Sequence, residues 1–149
     1  MTPTQIEQIR EAGIDPDERI KLYTKFVDEH VDAVKALIPR AHSSARVYRL
    51  DNDLKDLASL MDELGDNLDQ YGDRKADLRK SLKPLAENTG RWLTVLHSLP
   101  TESGFDLSLK EAIESGQDLN DQAKQLLTEQ TEYFKLHKDQ QGQDRAEPQ

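Results

Sequence analysis

The sequence contains no cysteine. This one absence excludes disulfides, thiolate nucleophiles, iron–sulfur clusters and cysteine zinc sites. Aromatic residues are scarce at 5%, and hydrophobic residues make up 35% against 33% charged. With a mean hydropathy of −0.84, the apolar side chains must be placed economically to close a core. There is no run of about 18 apolar residues to span a membrane, and no apolar stretch behind a basic start to act as a secretion signal. A soluble cytoplasmic protein is expected. Positive charge is also short, because 20 Lys and Arg stand against 29 Asp and Glu, a formal net charge of −9. Such a molecule repels a phosphate backbone, so nucleic acid is not an expected partner. The densest basic stretch, Arg74, Lys75, Arg79, Lys80 and Lys83, has no interleaved aromatics and includes Asp77. It reads as a charged helix face rather than a base-stacking surface.

What is present is helix punctuation. Thr2, Pro3 and Gln5 form a capping-box start for a short helix. Gly13, with Ile14 packing back on Ile9, suits a Schellman end. Asp15, Pro16 and Glu18 repeat the start signal, and Ile20, Tyr23, Val27, His30, Val34 and Leu37 then recur at spacings of three and four. This predicts a helix of about 22 residues, roughly 33 Å long, ended or bent at Pro39.

A second seam runs through Val47, Leu50, Leu54, Leu57, Met61, Leu64, Leu68 and Tyr71. Gly72 and Asp73 read as a stop and a new N-cap, after which Leu78, Leu82, Leu85, Trp92, Leu96 and Leu99 continue, with Lys75 and Thr89 at less apolar positions. Both runs keep one heptad phase, so a single rod from about Ser44 to Ser98 is the alternative to a hairpin. The hairpin is expected because a helical glycine costs about 1 kcal/mol. It would also set the acidic residues Asp51, Asp53, Asp56, Asp62, Glu63, Asp66 and Asp69 beside the basic stretch. Pro84 removes a backbone bond and predicts a kink at 81–85. Residues 100–106 read as a loop, and Ser108 with Glu111 as another capping box. The last seam, Leu109, Ala112, Gly116, Leu119, Ala123, Leu126, Gln130, Tyr133 and His137, contains small residues that suit close helix approach.

The expected fold is all-α, an up-down-up-down four-helix bundle of long amphipathic helices with a short extra N-terminal helix and shallow crossings. One domain is expected over residues 1–138, followed by a disordered tail at 139–149.

Tests for chemistry return little. No histidine has a glutamate three residues before it, so the Glu-x-x-His ligand pairs of di-iron bundles are missing, as are His-Glu-x-x-His and an EF-hand loop. Neither a metal nor any other cofactor is expected. His30 and His137 fall on seams but toward opposite ends of antiparallel helices, and a shared site is not expected. A metal or acid–base site shared by His30 and His137 would have Asp28, Glu29 or Gln130 nearby. His42 and His97 sit near helix ends or connections. The glycines within 64–67, 71–74 and 103–106 lack phosphate-loop spacing. Ser98 beside His97 is only a sequence neighbour, since adjacent helical residues do not face each other. Trp92 suits the core by its heptad position, and Tyr133 with Phe134 reads as packing.

No catalytic residue emerges. The expectation is a noncatalytic helical interaction or regulatory module whose partner is another protein or a second copy of itself. The alternative is a small-molecule binder or enzyme with a cavity between helices, for which Tyr23, His30 and Trp92 are the candidate ligand-binding residues.

Overall fold

A computed structural model describes residues 2–11, 15–38, 44–73, 76–100 and 102–137. The chain there is all-helical: α1 (Pro3–Glu11), α2 (Pro16–Leu37), α3 (Ser44–Asp73), α4 (Arg79–His97) and α5 (Asp106–Leu136). No helix among the described residues is long and apolar enough to cross a membrane. The expected Schellman end at Gly13, the break at Pro39, His42 and the tail at 139–149 lie outside the described residues.

Two helix starts follow the sequence chemistry. The Thr2 amide donates to Gln5 Oε1 at 3.0 Å while the Gln5 amide donates to Thr2 Oγ1 at 3.1 Å, the reciprocal pair of a capping box. Asp15 accepts from the amides of Asp17 and Glu18 and so satisfies two of the orphan donors at the start of α2.

Two other starts depart from expectation. α5 begins at Asp106, so Ser108 lies inside the helix and is not its cap. Its hydroxyl instead donates to Asp51 Oδ1 on α3 at 2.5 Å, a link between helices that sequence spacing does not disclose. Gly72 and Asp73 are not the stop and restart either, since both belong to α3 and α4 begins at Arg79. Gly72 serves by its size: a Cβ there would stand 3.2 Å from Leu126 Cδ1 on α5. The non-helical residues Ala76 to Leu78 separate α3 from α4, which excludes the continuous rod. α4 itself runs as helix through Pro84.

Gln130 on α5 closes this connection. Its side-chain carbonyl accepts from the Leu78 amide at 2.8 Å and its amide donates to the Ala76 carbonyl at 2.6 Å. A glutamine on an otherwise apolar seam is thus explained by two backbone groups that would otherwise be buried without partners.

The packed pairs are α4 with α5, α3 with α5, α2 with α3, α2 with α4, and α1 with α2. α3 and α4 are not among them. Cross-helix contacts give the running sense. Ser108 meets Asp51 and Gln122 meets Gly65, so α3 and α5 advance together; Asp17 meets Ser81 and Asp28 meets Trp92, so α2 and α4 do the same. Asn120 meets Ala86 while Gln130 meets Leu78, so α5 runs against α4.

This order overturns the expected pairing of the acidic α3 stretch with the basic start of α4. Arg79 pairs with Asp77 at 2.7 Å and Lys80 lies 3.8 Å from Asp17. α3 faces the acidic α5 instead.

The core follows the predicted seams closely. Leu50, Leu54, Leu57, Met61, Leu64, Leu68, Leu82, Leu85, Trp92, Leu96, Leu119 and Ala123 are all buried. Phe26, Val31, Leu60, Phe105 and Phe134 are buried in addition. At two places the buried residue is displaced one step from the heptad position, Val31 for His30 and Phe134 for Tyr133. An α-helix of 3.6 residues per turn drifts against a strict seven-residue repeat, which accounts for Phe134 at the end of α5; in α2 the predicted positions resume at Val34 and Leu37. The small residues act as expected: Ala112 and Ala123 are fully buried, and a Cβ on Gly116 would stand 3.1 Å from Leu93 Cδ2 of α4 and 3.6 Å from Met61 Sδ of α3.

Candidate functional site

Parallel packing of α3 on α5 leaves a groove along their shared outer edge. Three adjoining clefts mark it, from Lys55, Ala58 and Glu111 at one end, past Gly65 and Ser115, to Tyr133 and Phe134 at the other. The last cleft holds about 440 Å³. Leu126 and Tyr133 are its partly exposed apolar side chains, over the buried Leu68 and Phe134, and Gln122 bridges the two helices by donating to the Gly65 carbonyl at 2.8 Å and to Asp69 Oδ1 at 2.7 Å. Gly65 makes that bridge possible, since a Cβ there would stand 2.9 Å from Gln122 Oε1.

The rim of the groove is acidic on both sides. α3 supplies Asp62, Asp66, Asp69 and Asp73, and α5 supplies Glu111, Glu114, Asp118, Asp121 and Glu129. Lys55 is the one basic residue among the described lining residues, and it is already paired with Asp51 at 3.0 Å. Asp51 is held below the usual carboxylate range, first by the Ser108 hydroxyl and then by Lys55. Like charges facing each other across a narrow groove raise the local negative potential well above that of a scattered surface. The groove therefore favours positive charge laid along it.

The three residues proposed from sequence lie elsewhere, around α2. Tyr23 is buried in the core, and burial first and Glu63 second push its phenol above its ordinary value, against the pull of Arg19 and Asn67. Trp92 is fully buried, and its Nε1–H donates to Asp28 Oδ1 at 2.7 Å; the same carboxylate oxygen accepts from Arg91 at 2.6 Å. His30 is half-buried, with Nδ1 3.8 Å from Asp53 Oδ1 on α3. The structure brings His30 to Asp53, and it commits Asp28 to Trp92. None of the three lines the α3–α5 groove. His137 lies at the far end of α5, its Nδ1 2.8 Å from the Tyr133 carbonyl and its ring stacked on Tyr133. His30 and His137 do not meet.

The remaining polar seam residues are used within the chain. Asn120 donates to Thr89 Oγ1 at 2.6 Å and to the Ala86 carbonyl at 3.1 Å, joining α5 to α4. Ser81 donates to Asp17, joining α4 to α2, and Arg46 makes a two-pronged contact with Glu102 at 2.9 and 3.2 Å. The first two fix register between helices, and the third ties α3 to the segment before α5. No protein-family model, curated protein or solved structure matches the chain.

What sequence reading missed is the α5 half of the rim. Glu111, Glu114, Asp118, Asp121 and Glu129 recur on one side of a helix at spacings of three, four and eight, a stripe as regular as the apolar seam. It lacks meaning until a second acidic helix is known to lie beside it.

Proposed function

We propose that this chain is a noncatalytic interaction module that acts in the cytoplasm. In this reading four long helices form an up-down-up-down bundle with perimeter order α2, α3, α5, α4, and α1 is appended to α2. Its partner is a protein carrying a basic amphipathic helix, which lies in the α3–α5 groove with its Lys and Arg side chains against the two acidic rims and its apolar stripe over the partly exposed Leu126 and Tyr133. The observation that carries the reading is the groove itself, nine carboxylates along two parallel helices with Lys55 the one basic residue among the described lining residues. An amphipathic helix laid in such a groove gains apolar burial and steered association together.

Self-association has less support. The polar seam residues Thr89 and Gln130 are satisfied inside one chain, Thr89 by Asn120, and a second copy would bring the same negative charge to the groove. A nucleic-acid partner meets the same repulsion. The small-molecule alternative has less support again, because Tyr23 and Trp92 are packed into the core.

The test uses a fluorescent Lys/Leu peptide with helical amphipathic spacing, titrated at physiological salt. D118K/D121K reverses charge on the rim, whereas D32K/E87K makes the same change in net charge at exposed positions on α2 and α4. The expected result is binding by the native chain, weakened tenfold or more by the rim pair and little by the control pair. Equal effects of the two pairs, or no binding, would overturn the proposal.

A further inference from the structure

A second feature lies on the opposite side of α3, independent of the groove. We propose that His30 on α2, together with Asp53 and Asp56 on α3, binds a divalent first-row transition-metal ion that clamps the two helices together. One ligand atom from each of the three side chains lies within 4.8 Å of the others. Asp53 and Asp56 are three residues apart, so both carboxylates lie on the α3 face that meets His30.

The 3.8 Å between His30 Nδ1 and Asp53 Oδ1 is too long for a hydrogen bond. The pair converges without closing, and must draw somewhat nearer to share an ion. Zinc binds imidazole nitrogen and carboxylate oxygen at about 2.0–2.2 Å, which puts neighbouring ligand atoms of a tetrahedral shell about 3.3 Å apart. Closing from the present separation takes small side-chain rotations, and none of the three side chains is locked in the core.

The electrostatics agree. Burial raises the Asp53 carboxyl above its ordinary range and Asp56 raises it further, while His30 and Arg49 pull it down. A divalent ion would reverse the cost of holding the partly buried Asp53 carboxylate beside the exposed Asp56. The donor set also selects among cations. One imidazole with two carboxylates suits Zn²⁺, Co²⁺ or Ni²⁺, whereas Mg²⁺ and Ca²⁺ prefer oxygen alone. Three protein ligands leave a fourth tetrahedral position to water.

The experiment titrates Zn²⁺ into the chelator-stripped full chain by calorimetry, with Co²⁺ as a visible-absorption probe and millimolar Mg²⁺ present throughout. The expected result is one equivalent bound, a rise in Tm, and a selective shift of the His30 ring resonances relative to His97 and His137. H30Q and the near-isosteric D53N should each weaken uptake tenfold or more, whereas D118N in the acidic groove should leave it unchanged. Because the ring resonances are read in the native chain, they decide the matter even if a variant unfolds. Uptake insensitive to H30Q and D53N, resonance shifts at other histidines only, or no uptake would overturn the proposal.

Discussion

Trp92→Ala should lower the free energy of unfolding by about 3–5 kcal/mol, among the largest effects that a single truncation in this chain can produce. Trp92 is fully buried in the C-terminal half of α4, the helix that packs on both α2 and α5. Removing the indole takes away a large apolar surface and leaves a cavity that three helices cannot collapse into without breaking their own contacts. The hydrogen bond contributes less. Asp28 keeps Arg91 as a partner and its side chain is 35% exposed, so losing the indole N–H does not strand a buried charge. Trp92→Phe, which keeps a ring and loses the N–H, should therefore cost less than half as much. Urea unfolding followed by far-UV circular dichroism measures both variants, since the sole tryptophan is no longer a probe. A cost for Trp92→Ala below about 1 kcal/mol would place the side chain outside a packed core.

Gln130→Leu should cost roughly 2–4 kcal/mol although it replaces a polar residue on an apolar seam with an apolar one. Hydrophobicity alone predicts the opposite sign. The substitution preserves bulk but removes the acceptor for the Leu78 amide and the donor to the Ala76 carbonyl. Leu78 and Ala76 are themselves buried, so water does not replace the lost partners, and each stranded backbone group carries its desolvation cost. The effect should be local before it is global. Amide hydrogen exchange at Leu78 should accelerate well beyond the change expected from global stability, because that amide loses its only acceptor given by the structure. A stabilised variant, or unchanged exchange at Leu78, would show that Gln130 does not hold the α3–α4 connection.

The distribution of what could be read from sequence has a physical basis. Burial of an apolar stripe is a property of one helix, and Leu54, Leu64, Leu82 and Leu119 could be assigned to the core from spacing alone. Capping is equally local, which is why Thr2 and Asp15 were legible as helix starts. Ser108 was not, because the same hydroxyl that caps a helix in sequence also bonds a carboxylate on another helix, and only the arrangement of helices decides between them. Perimeter order belongs to the whole set of helices. The acidic α3 and basic α4 stretches suggest neighbours, yet Gly65 and Gly72 on α3 let α5 approach closely enough to take the position beside it. Packing against those glycines outweighs an exposed charge match worth at most about 1 kcal/mol per pair. The same order hid both sites. The groove needs α5 beside α3, and the His30 cluster needs Asp53 across from α2, whereas the sequence offered Asp28 and Glu29 as the nearer carboxylates.

Helix order is therefore what the functional reading stands on, and a chain without native cysteine allows it to be measured cleanly. In D69C/Q122C the introduced thiols replace side chains that are hydrogen-bonded across α3 and α5 at 2.7 Å; in D69C/K83C the second thiol lies on α4. Treatment of the dilute protein with a short bis-maleimide, read on the intramolecular product by mass spectrometry after proteolysis, should give near-complete internal cross-linking of the first variant and little of the second. Efficient cross-linking of D69C/K83C with failure of D69C/Q122C would put α4 beside α3, abolish the acidic groove and contradict the account.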